Sequence, residues 1–310
     1  MKRDEKGMKK RNEKGKGINM ELKEFCFTGE KPDLKKLQND AEGFGIDKEE
    51  KEKFVNLTQE NVQKIAELQD RLYADGKEGV VIVLQAMDAA GKDGTIKHVL
   101  SGVNPQGVHV ISFKQPSKSE LAHDYLWRIH KELPERGNIA VFNRSHYEDV
   151  LVTRIHGLEK GYQMAERCLK NGADKFYESR YKQIRGYEEY LYENSYRMVK
   201  IFLNVSKEEQ KKRFTERIIN PDKNWKFSAG DLDERALWDE YQKLYEEIIE
   251  ETGTKHAPWY IVPADQKWFA RFLVSEIVVK VLSDCKPQYP EVSKEEKLTM
   301  QDCLKRLDEE

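Results

Sequence analysis

The spacing of hydrophobic residues changes near residue 79. Before it, apolar residues fall on one face of a predicted helix, capped by Thr58, that runs from Thr58 to Tyr73 (Val62, Ile65, Leu68 and Leu72). The run GVVIVLQA at 79–86 is typical of a strand buried on both faces. Similar runs follow at 108–113, 139–145, 197–205 and 259–264, with helical stretches between them. This alternation predicts an α/β fold, a parallel sheet flanked by helices.

The chain shows no internal repeat and no linker rich in Pro, Gly or Ser, so we expect one main domain at residues 21–283. Residues 1–20 are rich in lysine and lack the apolar core of a secretory signal, which predicts a flexible basic tail. Residues 284–310 are highly charged and predict a C-terminal tail or peripheral helix.

Composition excludes several classes of function. The net charge is −2 over 310 residues, so no overall basic field indicates a nucleic-acid partner. No apolar run approaches the roughly 20 residues that a membrane span needs. The four cysteines form no CxxC pair, which favours free thiols in a reducing cytoplasm over a metal centre (Cys26, Cys168, Cys285 and Cys303).

The stretch LQAMDAAGKDGTIKHV at 84–99 is similar to a phosphate-binding loop, with two departures. Ala86 occupies the position of the first glycine, and Asp93 occupies that of the hydroxyl that normally binds magnesium. In such a loop, backbone N–H groups at the start of a helix and the Lys92 ammonium bind phosphate. The predicted phosphate-binding residues of the loop are Ala89, Ala90, Gly91, Asp93, Gly94 and Thr95.

The missing hydroxyl makes Asp88 the nearest candidate for a magnesium ligand, because a carboxylate is a hard oxygen donor. Asp88 is equally a candidate for orienting the acceptor oxygen. Two roles also stay open for Asp93, which is suited either to bind a metal or to cap the following helix.

The stretch NIAVFNRSHYEDV at 138–150 ends a predicted strand in polar residues. Asn143 and Arg144 occupy the place of the acidic metal motif of phosphate-loop enzymes. Arg144 is suited to neutralise a transferring phosphoryl group, whereas Asn143 is a weaker magnesium ligand than Asp. Glu148 and Asp149 are either functional or compensate a helix dipole.

Two further stretches suggest substrate contacts. Residues 123–137 predict a helix that carries Trp127 and Arg128, either as nucleotide-binding residues or as a core aromatic and a solvated cation. Residues 206–253 predict two helices joined by a basic tip, either a lid that excludes water or a solvated helical hairpin. Arg213 and Arg217 lie at i and i+4 on one face of its first helix.

These motifs, together with TGTKHAPWYIVPADQKWFAR at 252–271, resemble the polyphosphate kinase 2 family over about residues 30–282. The resemblance implies a thymidylate-kinase-like P-loop kinase fold with a helical lid. It also implies phosphoryl transfer between inorganic polyphosphate and adenine nucleotides, with Mg2+, or alternatively Mn2+, as cofactor. Asn143 and Glu148 resemble the class III members, which act on both AMP and ADP. A homo-oligomer, either a dimer or a tetramer, is implied as well.

The resemblance places catalytic roles on five residues (Asp88, Lys92, Arg144, Arg213 and Arg217) and acceptor-nucleotide contacts on Asn143 and Glu148. Trp127 and Arg128 are further candidates for nucleotide binding, because a helix in this place binds the acceptor in nucleoside monophosphate kinases. A polymer without a base calls for a basic channel, for which Lys114, Arg154, Lys223 and Lys226 are the expected members. Two alternatives remain at this stage. One is an ATP-dependent nucleotide or small-molecule kinase, and the other is a non-catalytic module that binds nucleotides or polyphosphate.

Overall fold

The computed structural model describes residues 21–310, so the basic tail predicted at residues 1–20 lies outside the described residues. Its centre is a six-stranded sheet in the order β1-β6-β5-β2-β4-β3. The strands are β1 Cys26–Phe27, β2 Gly79–Ala86, β3 Val108–Ser112, β4 Ile139–Asn143, β5 Tyr196–Asn204 and β6 Trp259–Pro263. Strands β2 to β6 run parallel to one another, whereas β1 pairs antiparallel with β6.

The five strands predicted from hydrophobic runs are confirmed to within a few residues. The expectation of a purely parallel sheet is wrong at β1, whose two residues are too few to leave a hydrophobic pattern. The expectation that 108–113 is buried on both faces is also wrong. Strand β3 closes one edge of the sheet, and His109, Val110 and Ser112 are exposed there.

Residues 21–310 contain twelve α-helices. They are α1 Lys51–Asp75, α2 Lys92–Val99, α3 Lys118–Leu121, α4 Trp127–His130, α5 Val152–His156, α6 Glu166–Leu169, α7 Gly172–Glu193, α8 Lys207–Ile219, α9 Gly230–Ala236, α10 Trp238–Thr252, α11 Lys267–Asp284 and α12 Lys294–Asp308. Short 3-10 helices span Leu22–Phe25, Glu42–Phe44, Lys48–Glu50, Pro105–Gly107, His146–Asp149, Leu158–Gly161 and Pro221–Lys226. No helix among residues 21–310 is long and apolar enough to cross a bilayer.

Two helix predictions are corrected. Helix α1 begins at Lys51, and Thr58 lies inside it, where its hydroxyl donates to the carbonyl of Phe54 at 2.7 Å instead of capping. The helix predicted at 123–137 shrinks to the single turn α4, with Ile129 as its buried residue. The charged C-terminal stretch is a helix, α12, whose residues are exposed.

The core lies along the central strands. Every residue of β2 is buried, because β4 and β5 flank it and helices cover it. Helix α11 packs against α1 and α2, while α7 packs against β5 and α10. Since the parallel strands share one direction, the carboxyl ends of β2, β4, β5 and β6 meet at one edge of the sheet, where ligands bind in open α/β sheets.

Candidate active site

The loop after β2 has the backbone shape of a phosphate-binding loop. Ala86 is still the last residue of the strand, so the position usually held by the first glycine needs no positive φ here. Gly91 does need one, with φ of 107°, and it begins α2. Ala89 also adopts a positive φ, 61°, which costs a non-glycine residue free energy and marks the loop as held by its surroundings.

Lys92 arches back over this loop. Its Nζ donates to the carbonyl of Ala86 at 3.1 Å. Burial and the neighbouring Arg144 guanidinium lower the pKa of Lys92, while Asp88 and Glu148 oppose the change. A cation with few direct partners at the mouth of the loop is suited to bind a phosphate oxygen.

The two central predicted residues are in contact. Arg144 Nη2 lies 2.8 Å from Asp88 Oδ1 in a half-buried ion pair, and Arg144 Nη1 lies 3.8 Å from Glu148. Arg144 follows β4 with a φ of 63°, a left-handed conformation that turns its side chain out of the strand direction. The carboxyl ends of β2 and β4 therefore bring a carboxylate and a guanidinium to one point.

A buried network supports the segment after β4. Tyr147 donates to Glu188 Oε1 at 2.6 Å, and Lys200 Nζ contacts the other oxygen of Glu188 at 2.5 Å and the carbonyl of Thr252 at 2.7 Å. Lys200 and Glu188 are both fully enclosed. Losing either partner would leave a buried charge unpaired, so this network fixes the turn that carries Arg144 and Glu148.

Glu148 faces the same centre. Burial raises the pKa of Glu148, and the Arg144 and Lys92 cations oppose that shift. Asp149, the next residue, points elsewhere and pairs with Arg180 at 2.8 Å and with the Tyr162 hydroxyl at 2.8 Å. Both belong to the 3-10 helix His146–Asp149, so the alternative of compensating an α-helix dipole does not describe them.

Asp93 does not cap α2, because the N-cap residue is Gly91 and neither carboxylate oxygen of Asp93 accepts from a backbone N–H of the helix. Its Oδ1 instead accepts from Asn143 Nδ2 at 2.9 Å, and its Oδ2 lies 3.2 Å from Lys226 Nζ. The residue in the hydroxyl position thus connects the loop, the end of β4 and the 3-10 helix Pro221–Lys226.

Arg213 lies beneath the loop and is buried. Its Nε donates to Glu209, Nη1 to the carbonyls of Ala89 and Ala90, and Nη2 to those of Ala264 and Asp265, at 2.6–3.1 Å. All five N–H groups of the guanidinium therefore have protein acceptors. In this conformation Arg213 ties the loop to the end of β6 and has no N–H left for a phosphate.

Arg217, one turn further along α8, is more accessible and pairs with Asp231 at 3.0 Å. Lys223 pairs with Glu216. The predicted lid residues thus reach the loop through α8 and the 3-10 helix Pro221–Lys226, while α9 and α10 complete the helical hairpin.

A cleft of about 390 Å³ lies over the loop. Its lining includes ten predicted residues of the loop and the β4 end, namely 88–95, 143 and 144, and the predicted lid residues Arg213, Arg217, Lys223 and Lys226. The structure therefore brings together most of the residues chosen from the sequence.

Five predicted residues are not part of that lining, namely Lys114, Trp127, Arg128, Glu148 and Arg154. Arg154 donates to Glu247 at 2.6 Å and to Tyr181 at 2.9 Å. Arg128 donates to the carbonyl of Lys114 at 2.9 Å and pairs with Glu120 at 3.1 Å, while Trp127 stacks on His123. The structure does not bring Lys114 and Arg154 to the expected channel, and it gives Arg128 partners instead of solvent.

Sequence reasoning missed two cations of the lining, Lys267 and Arg271, at the start of α11. A signal was available, because two basic residues spaced i and i+4 follow a predicted strand at 259–264. Their place at the carboxyl end of β6 follows from the same sheet rule that located Asp88 and Arg144.

The site fits a divalent metal held mainly by phosphates. Among residues 21–310 no group of three or more His, Cys, Asp or Glu side chains forms a metal cluster. Asp88 is half-buried at the loop, and only its Oδ1 is engaged by Arg144. Mg2+ commonly takes one or two carboxylates, with substrate phosphates and water as its other ligands, so a single carboxylate suffices here.

Comparison with known proteins identifies relatives across most of the chain. The sequence profile of the family described as polyphosphate kinase 2 (PPK2) matches residues 46–290. An ADP-polyphosphate phosphotransferase of Rhodopseudomonas palustris is 47% identical over 86% of this chain and 90% of that protein. An AMP/ADP-polyphosphate phosphotransferase of Meiothermus ruber is 47% identical over 74% of this chain and 81% of that protein.

The fold has a solved counterpart. The crystal structure of polyphosphate kinase 2 from Arthrobacter aurescens TC1 superposes with a TM-score of 0.81 at 36% sequence identity. The match covers 93% of this chain and 99% of the crystallised one. The expected P-loop kinase architecture is therefore confirmed.

Proposed function

The chain belongs to the polyphosphate kinase 2 family, and on this premise we propose that it transfers phosphoryl groups reversibly from inorganic polyphosphate to AMP and ADP, making ADP and ATP. The observation that carries the proposal is the Asp88–Arg144 pair beside Lys92, in a cleft lined by eight Lys and Arg side chains. Such a cleft offsets the charge of two polyanions brought together in line.

Each residue has a defined part in the proposal. The loop N–H groups and the Lys92 ammonium hold the transferring phosphate. Arg144 neutralises charge that develops on it, and Arg217 approaches from the lid side. Arg213 acts through the loop carbonyls it binds, so it positions the loop and contributes its positive charge from beneath.

We assign Asp88 as the protein ligand of Mg2+, with Mn2+ as the alternative ion. When bound, the ion would offset phosphate charge. Because Asp88 Oδ1 already holds Arg144, the carboxylate also fixes the position of the guanidinium.

We propose that AMP is a phosphoryl acceptor as well as ADP. The two relatives at 47% identity differ in the acceptor named, since one is an ADP- and the other an AMP/ADP-polyphosphate phosphotransferase. Glu148 lies at the Arg144 end of the site, with Asn143 three residues before the 3-10 helix His146–Asp149. We propose that this end receives the acceptor nucleotide.

The test mixes purified protein with AMP or ADP, long-chain polyphosphate and magnesium, and follows the nucleotides by anion-exchange chromatography. We expect ADP and then ATP from AMP, and ATP from ADP. Production of ATP from ADP with none from AMP would remove AMP from the proposal and leave the family reaction. Absence of both products, with ATP-dependent transfer instead, would overturn it.

Assembly and location are also proposals. We propose a homo-oligomer, a dimer or tetramer, for which light scattering after size exclusion gives a direct mass. A cytoplasmic location is supported by the four cysteines, which are all free thiols.

A further inference from the structure

We infer that Lys267 and Arg271 of α11 form a subsite for the inorganic polyphosphate donor, along which the chain leaves the phosphate-binding loop. The inference rests on the proposed function and names where the polymer lies within that site. It replaces the path expected from the sequence through Lys114 and Arg154, neither of which lines the cleft.

Among the described cations of the cleft, Lys267 and Arg271 differ from the others because their side chains have no protein partner. Among the described residues that line the cleft, six of the cations have an acceptor: Lys92 (Ala86 carbonyl), Arg144 (Asp88), Arg213 (Glu209 and four carbonyls), Arg217 (Asp231), Lys223 (Glu216) and Lys226 (Asp93). Within the same described lining, Lys267 and Arg271 make no hydrogen bond or ion pair. Their charges are thus available to an anion that enters the cleft.

Burial of the Arg271 guanidinium also favours a bound anion. Arg271 is half-buried, and its pKa is lowered by burial alone, with no carboxylate to oppose the effect. Removing a guanidinium from water without an acceptor is unfavourable, and buried arginines are usually paired. An anionic ligand at this position supplies the missing partner.

The positions of the two cations favour a path along α11. Residues 267 and 271 are one turn apart on α11 and share a face. The guanidinium of Arg271 lies over the first turn of α2, since a Cβ built on Gly94 would be 3.5 Å from Nη2. Lys267 lies near Glu216 and Lys223 of the predicted lid; burial and the Arg213 cation lower the pKa of Lys267, and Glu216 opposes that change. The two cations therefore extend the positive surface of the loop outward along α11.

The side chains that line the cleft favour the phosphate donor over the base of a nucleotide. The described residues that line the cleft include no aromatic side chain, and Gly94, Ala264 and Ala270 are among its small residues. A base is commonly bound by stacking on an aromatic ring or by hydrogen bonds to its edge. A surface of cations and small residues suits a linear phosphate polymer, which has charge but no base.

The test compares K267Q, R271Q and the double variant with wild type. K280Q is the matched control, because Lys280 lies on the same helix but is exposed and paired with Asp284 at 2.7 Å. Binding of long-chain polyphosphate and of inorganic tripolyphosphate is measured by calorimetry, and KM for ADP by the transfer assay. Thermal unfolding verifies that each variant is folded.

We expect each substitution to weaken long-chain polyphosphate binding roughly tenfold or more, as for loss of one charge-assisted contact. Binding of tripolyphosphate should change less, and KM for ADP and the K280Q control should stay within twofold of wild type. Unchanged polyphosphate affinity in the double variant, or an increase confined to the KM for ADP, would overturn the inference. Direct binding keeps this outcome separate from failure of the proposed function, which would appear as absence of transfer by wild type.

Discussion

Arg213 and Arg217 are both predicted from the sequence as catalytic lid arginines, but their contacts predict opposite consequences for stability. Replacing each with glutamine removes the same charge from the same face of α8, one turn apart. We expect R213Q to unfold far more easily than wild type and R217Q to retain almost all of its stability.

The magnitude follows from the partners that are lost. Arg213 is 6% exposed, and glutamine would leave most of four backbone carbonyls and the Glu209 carboxylate without a donor. A hydrogen bond to a charged group contributes about 1.5–3 kcal/mol, and such values do not add within one network. A loss of about 3–5 kcal/mol, typical of breaking a buried charged network, is therefore expected for R213Q. Arg217 loses one partly exposed ion pair, which contributes about 0–1 kcal/mol.

The assay is urea unfolding followed by tryptophan fluorescence, without nucleotide or polyphosphate, and the transition midpoints are compared at equal slope. The kcat for polyphosphate-dependent transfer is measured on the same preparations under conditions where each variant is folded. We expect both variants to lose activity, because R213Q disorders the loop and R217Q lacks a cation at the cleft.

An R213Q midpoint equal to that of R217Q would refute the reasoning. It would mean that the carbonyl contacts of Arg213 contribute no net stability. The R213K variant sharpens the comparison, since an ammonium keeps the charge but cannot reach two pairs of carbonyls and Glu209 at once. R213K should therefore be intermediate in stability.

Three further predictions concern the centre of the cleft. D88N should reduce kcat by about two orders of magnitude or more while the fold is kept, because it removes the proposed metal ligand and weakens the half-buried ion pair with Arg144. Near-normal turnover would exclude Asp88 as the metal ligand. Burial raises the pKa of Glu148 in the folded protein above its pKa in the unfolded chain. At any pH above the unfolded pKa, Glu148 therefore lowers the free energy of unfolding, and the loss is complete above the folded pKa. E148Q should therefore melt higher than wild type at neutral pH, with the difference vanishing below the usual pKa of Glu; calorimetry across pH checks the sign. Polyphosphate affinity should fall as ionic strength rises, and a flat titration from low to high salt would contradict an electrostatic channel.

The sheet was predictable because its signal is local and redundant. Strand β2 is apolar at nearly every position, as any strand buried on both faces must be, and the strands at 139 and 196 repeat that pattern. Once parallel order is assumed, the sheet rule places Asp88, Lys92 and Arg144 at one edge without further information.

The functions of individual cations were less predictable, because they depend on partners that are remote in sequence. The helical pattern does not distinguish Arg213 from Arg217. Arg213 donates to carbonyls that lie more than 50 residues before and after it in the sequence, whereas Arg217 pairs with Asp231. Arg154 is likewise a plausible channel cation until Glu247 is found beside it. Lys267 and Arg271 are the converse case, since only the packed structure shows that they have no partner.

The departure of Asp93 from the usual hydroxyl has a structural explanation in these contacts. A serine or threonine at this position would lack the second oxygen that allows Asp93 to accept from Asn143 and to pair with Lys226 at the same time. The carboxylate of Asp93 is 67% exposed, so the ion pair with Lys226 contributes only about 0–1 kcal/mol. A contact of that strength is enough to bias the 3-10 helix Pro221–Lys226 toward the loop but too weak to hold it against a polyanion that competes for Lys226. The residue that makes the loop look damaged in the sequence thus connects the proposed lid to the proposed phosphate site through a weak ion pair, which we expect a bound substrate to displace.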